Sequence, residues 1–169
     1  YEINLTGFDS HAGSTPMPRR KDALLGAARI VELVNRIGLA HAPNAVSTVG
    51  MLNPYPNSRN VIPGSVFMTV DFRHPEDGTL SAMDAALQEG VKAITDGIGL
   101  ECEIKQVFYY KPVAFDAECV AAVRRAADHF GYKHRDIVSG AGHDACYLAR
   151  VAPTSMIFTP CVDGISHNE

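Results

Sequence analysis

The sequence predicts an α+β chain: a ferredoxin-like β-α-β-β-α-β domain over residues 1–111, then part of an α/β domain over residues 112–169. Three observations predict it. Four strand-like segments and two amphipathic helical stripes come one after another in that order. The pattern breaks at Lys111-Pro112. Past this break the chain has too few elements to cover both faces of a sheet.

Residues 1–8 alternate Tyr1, Ile3 and Leu5 with Glu2, Asn4 and Thr6, the period of a half-buried strand. Over residues 20–37, Leu24, Ala27, Ala28, Val31 and Val34 recur at helical steps, with Arg20, Lys21, Arg29, Glu32 and Arg36 off the stripe and Gly38 as the stop. Residues 45–52 and 65–72 are β-branched and aromatic runs, joined by an Asn- and Pro-rich loop over 53–64. A second helix over 79–98 carries Leu80, Met83, Leu87, Val91, Ile94 and Ile98, and residues 101–109 return to strand alternation. In this order, two helices cover one face of a four-stranded antiparallel sheet.

Beyond Pro112, Asp116 caps a helix that stops at Gly131, and the loop SGAGHDA leads into a short helix and an apolar strand over 154–158. The packing partners of these pieces are expected outside this sequence. The chain also starts at Tyr1 rather than Met and enters a strand at once, so it is expected to be an internal piece of a longer protein.

Composition removes several function classes. A net charge of -4 gives no basic field for a phosphate backbone, so nucleic acid is not an expected partner. No apolar run approaches the roughly 20 residues that cross a bilayer. Cys102, Cys119, Cys146 and Cys161 have no CxxC spacing and sit among apolar neighbours, as reduced thiols do, which fits a cytoplasmic protein. There is no GxSxG elbow, phosphate loop or dinucleotide fingerprint.

Three polar clusters remain. His11 follows a strand in GFDSHAGSTPMPRRKDA; taken alone it is a surface-loop histidine as readily as a functional one. Asn60 ends the loop and Arg73 ends a strand in PNSRNVIPGSVFMTVDFRHP. An amide and a guanidinium fork that converge can hold a carboxylate, although a surface pair of Arg73 with Asp71 or Glu76, and Asn60 as a turn residue, explain the two residues without any ligand. His167 lies on a loop after an apolar segment, where imidazole serves as a metal ligand, but one histidine is not a metal site. In SGAGHDA the glycines can present N–H groups to an anion or form a tight turn, and His143 and Asp144 can simply lock each other in place.

Taken together, SHAGSTPMPRRKDA, PNSRNVIPG, VDFRHP, SGAGHDA and GISHNE resemble, in this order and spacing, the hydantoinase/carbamoylase amidases of the aminoacylase and carboxypeptidase superfamily. The resemblance covers nearly the whole chain. It implies a lid domain inserted into a metallohydrolase catalytic domain, with lid domains pairing into a homodimer. It implies that His11 reaches into the other subunit's active site and donates to the oxyanion of the tetrahedral intermediate. Asn60 and Arg73, with a backbone N–H of the 140–142 loop such as that of Gly142, would hold the substrate's α-carboxylate. His167 would bind one of two divalent metal ions, Zn, Mn, Co or Ni, whose other ligands lie outside this chain. The implied reaction is hydrolysis of an N-carbamoyl-L-amino acid or related ureido acid to the amino acid, ammonia and carbon dioxide. This chain alone would be inactive. The alternatives are an allantoate hydrolase, a dipeptidase, acylase or carboxypeptidase of the same superfamily, and a non-enzymatic dimerisation or ligand-binding module.

Overall fold

The structure is a computed structural model that describes residues 1–166. The chain divides into two compact units, Tyr1–Pro112 and Val113–Glu169.

In the first unit, strands β1 (Glu2–Thr6), β3 (Val46–Tyr55), β5 (Ser65–Arg73) and β6 (Glu101–Lys105) form an antiparallel sheet in the order β3-β5-β1-β6. Helices α1 (Ala23–Ala40) and α2 (Asp77–Ile98) connect them in the β-α-β-β-α-β order that the sequence predicts. Alternation decides which face is buried: Ile3, Leu5, Val66, Met68 and Val70 point inward, and Ile30, Val34, Met83, Leu87 and Val91 meet them from the helices. Each such side chain, fully removed from water, contributes roughly 1.5–3 kcal/mol of transfer free energy.

The ends of the elements differ from expectation for local reasons. Helix α1 begins at Ala23 rather than Arg20 because Lys21 is held extended, its carbonyl accepting from Phe8 N–H at 3.0 Å. Asp22 then caps the helix, its carboxylate accepting from the N–H groups of Leu24 and Leu25 at 3.0 Å each. The helix also runs through Gly38 to Ala40. Gly38 is no stop: a Cβ there would lie 2.3 Å from Ser47 Oγ, so its missing side chain lets the helix approach β3. The buried face includes Ile30 and Ile37, while Ala28 and Val31 of the expected stripe are exposed.

Strand β3 continues to Tyr55, with a register shift between Val49 and Met51, so the expected 53–64 loop is shorter. Two short strands, β2 (Ser10–His11) and β4 (Val61–Ile62), pair within the loops at the β1 exit and had no periodicity to announce them. Strand β6 stops at Lys105 instead of Tyr109, where its ladder with β1 closes at Glu2. Helix α2 ends as predicted, at a left-handed Gly99 with φ 78°.

In the second unit, α3 (Ala117–His129) is capped by Asp116, whose carboxylate accepts from Cys119 N–H at 2.8 Å, and α4 (Ala145–Leu148) comes after the glycine loop. The strand expected over residues 154–158 does not form. A strand needs a ladder partner, and none pairs with this segment among the described residues; a single bond joins Asp116 N–H to Thr154 O at 3.0 Å. No described helix is long and apolar enough to cross a membrane.

Candidate active site

The exit of β1 is tied to the β3–β5 connection by Gly7 N–H donating to Gly64 O at 2.7 Å. Strands β2 and β4 then pair, setting His11 opposite Val61 and bringing Ala12 N–H to Asn60 O at 2.8 Å. Two residues far apart in sequence, His11 and Asn60, thus become neighbours at one end of the sheet. Both are exposed.

The His11 ring is held by its own loop. Nδ1 accepts from the N–H groups of Gly13 and Ser14, each at 3.1 Å, and Thr15 N–H donates to His11 O at 3.2 Å. An Nδ1 that accepts places the proton of the neutral ring on Nε2, the nitrogen turned away from the loop. Gly13 permits the contact, because a Cβ there would lie 3.1 Å from His11 Cε1. Arg20 closes the loop from behind: Nη2 donates to Ala12 O at 2.6 Å and Nε to Thr15 O at 3.0 Å. Beside His11, the Asn60 Oδ1 accepts from Ser58 Oγ at 3.1 Å, which orients the amide so that its Nδ2 donors are the groups left to offer.

Arg73 sits elsewhere. It closes the nine-residue strand β5 at the end opposite Ser65, opposite Val46 of β3. At about 3.3 Å per residue this is roughly 26 Å from the Asn60 end, beyond the reach of either side chain. Its Nε and Nη2 donate to the two oxygens of Asp71 at 3.0 and 2.8 Å. The hydrogen bond from Arg73 holds the Asp71 carboxyl below its ordinary value, partial burial opposes it, and the same pair raises Arg73.

In the second unit, Gly140 and Gly142 are exposed on the loop before α4. Ser139 Oγ donates to Ala141 O at 2.9 Å and accepts from its N–H at 3.4 Å, which shapes the turn. His143 Nδ1 accepts from Ala145 N–H at 3.1 Å, capping the short helix. Among the described residues no group of three or more His, Cys, Asp or Glu side chains could hold a metal ion. The expected ligand His167 lies outside the described residues. Sequence patterns had missed Arg20, which reads as the polar side of a helix, and the N–H groups of Gly13 and Ser14, which no pattern marks.

The model of peptidase family M20/M25/M40 matches residues 9–169. The chain belongs to this family. Among curated M20/M25/M40 relatives, an N-carbamoyl-L-amino-acid amidohydrolase of Rhizobium meliloti is 48% identical over 99% of this chain and 40% of its own length. An allantoate amidohydrolase of Escherichia coli is 36% identical over 99% of this chain and 41% of its own. A solved structure of a hydantoinase/carbamoylase family amidase from Burkholderia multivorans superposes with a TM-score of 0.96 at 71% identity, over 99% of this chain and 41% of that one. The chain therefore spans about two fifths of the length of these relatives. M20 amidohydrolases are typically dinuclear metal enzymes, and the described residues do not supply a donor set for such a centre.

Proposed function

We propose that this chain provides the substrate-gripping part of an amidohydrolase that cleaves the linear C–N bond of an N-carbamoyl-L-amino acid or related ureido acid, releasing the amino acid, ammonia and carbon dioxide. The names of its M20 relatives support the substrate class. One observation carries the chain's own share: His11 presents an Nε2–H donor beside the amide of Asn60, while Arg73 stands at the far end of the sheet.

His11 donates to the oxygen on which charge develops as the ureido carbonyl becomes tetrahedral, an interaction stronger in the transition state than in the ground state. Asn60 and Arg73 grip the α-carboxylate, with Gly142 N–H as a further donor and His167 as a metal ligand.

Because His11 and Asn60 lie roughly 26 Å from Arg73, one chain cannot bring all three to one small substrate. Two copies can, each giving its His11–Asn60 end to the site that holds the other's Arg73, in a symmetric dimer.

Mixed dimers test this in the complete protein. His11→Ala and Arg73→Ala, each alone, should lower ammonia release from an N-carbamoyl-L-amino acid by roughly a hundredfold or more. Co-expressed, half of the dimers would combine one of each and contain one intact site of two, restoring about a quarter of wild-type activity. A mixture no more active than its components would overturn the shared site. A wild-type protein that releases no ammonia from any ureido acid would overturn the substrate class.

A further inference from the structure

We infer that Arg20 is the positioning residue of His11, fixing the imidazole in the tautomer that donates through Nε2; this rests on the proposal that His11 stabilises the oxyanion. The geometry runs through one peptide plane. The carbonyl of Ala12 and the N–H of Gly13 belong to the same planar trans unit and point in opposite directions. Arg20 Nη2 grips that carbonyl at 2.6 Å, and the opposed N–H meets His11 Nδ1 at 3.1 Å. Turning this plane would withdraw the donor from the ring.

The second arm of the guanidinium reinforces the first. Nε donates to Thr15 O at 3.0 Å, so the fork clasps carbonyls on both sides of Gly13 and Ser14, the two residues whose N–H groups meet the ring. A bond from a cation to a carbonyl oxygen also polarises the peptide, making its N–H a stronger donor. A lysine keeps only part of this, since a point charge can bond one carbonyl but cannot span two in a fixed plane. The remaining ties, Thr15 N–H to His11 O at 3.2 Å and Ala12 N–H to Asn60 O at 2.8 Å, fix the ends of the loop and leave the middle peptide to Arg20.

Ring-nitrogen NMR of ¹⁵N-histidine-labelled complete protein, with His11 assigned by His11→Gln and the rings neutral, reads the tautomer directly. In the wild type, His11 is expected to show an unprotonated Nδ1 and a protonated Nε2. In Arg20→Met the two shifts should move toward each other as both tautomers become populated, and Arg20→Lys should fall between. Turnover should drop roughly tenfold in Arg20→Met with KM little changed, as for a misplaced catalytic group. In the His11→Ala background Arg20→Met should have no further effect.

An unchanged His11 spectrum in both Arg20 variants, or an equal loss of turnover with and without His11, would overturn the inference. If Arg20→Met does not fold, Arg20→Lys carries the test, and a spectrum and turnover equal to wild type would count against the fork. Turnover untouched by His11→Ala would instead overturn the oxyanion role, while the spectra still report whether Arg20 governs the tautomer.

Discussion

Helices α1 and α3 are both amphipathic and both capped by an aspartate, yet they end up in opposite states. Helix α1 buries Ala23, Gly26, Ala27, Ile30, Val34, Ile37 and Gly38. Helix α3 buries none of its residues. Its apolar side, Ala122, Val123, Ala126 and Ala127, lines an open hollow of about 460 Å³ with Phe130, Tyr132 and Ile157. A helical stripe specifies that a face should be covered, and only other elements decide whether it is. The first unit supplies a sheet within its own residues; among the described residues the second supplies no strand at all.

The largest expected effect tests that contrast directly. Leu87 is wholly buried between α2 and the sheet, so Leu87→Ala in this chain should cost about 2–5 kcal/mol, the transfer term plus the cavity left behind. Val123 on α3 faces the hollow and is only half-buried, so Val123→Ala should stay within about 0.5 kcal/mol. Urea denaturation monitored by circular dichroism reads both. Comparable losses would mean that α3 is packed as firmly as α2, and the contrast would fail.

A smaller effect sharpens it. Asp22 and Asp116 perform the same capping chemistry, but only Asp22 caps a helix with a buried face. Asp22→Ala should lower the global stability of the first unit by about 1 kcal/mol. Asp116→Ala should instead speed amide exchange in the first turn of α3 without moving the urea midpoint. A midpoint shift from Asp116→Ala as large as that from Asp22→Ala would show that α3 folds as part of a cooperative core.

Much of the first unit was legible because its periodicities are uninterrupted: Ile3 and Leu5, or Met83, Leu87 and Val91, declare strand and helix without help. Legibility failed where one residue type serves two purposes. Gly38 looks like a helix stop but is a point of close approach to Ser47, a distinction that depends on a contact distant in sequence. Residues 154–158 look like a strand, yet apolar character alone provides no ladder. The site was less visible still. His11 and Asn60 meet through β2 and β4, two residues each, too short to show a period, so nothing in the sequence announced that the two would be neighbours. Arg20 was hidden because a cation at a helix start looks solvated, and the structure instead turns it back onto Ala12 and Thr15.

The smallest effect concerns charge. Asp71 in the first unit and Asp136 in the second each accept a forked hydrogen bond from an arginine, Arg73 and Arg124, which holds both carboxyls below the ordinary value of 3.8. A carboxyl depressed in the folded state adds stability that is present above the unfolded value and is lost as pH falls through the folded one. The contribution of the Asp71 pair should therefore hold from neutral pH to near 3.8 and fade below it. Because the Asp71 side chain is 51% exposed, it should amount to less than about 1 kcal/mol. Measured between about pH 5 and pH 2.5, Asp71→Asn should flatten part of the acid loss of the urea midpoint. Asp136→Asn should leave that midpoint unchanged, since its pair joins a loop to α3, which buries none of its residues, and should act only on local exchange around Arg124. If Asp136→Asn moved the midpoint as far as Asp71→Asn, charge in the second unit would be coupled to global unfolding, and the two units would have to be treated as one cooperative body.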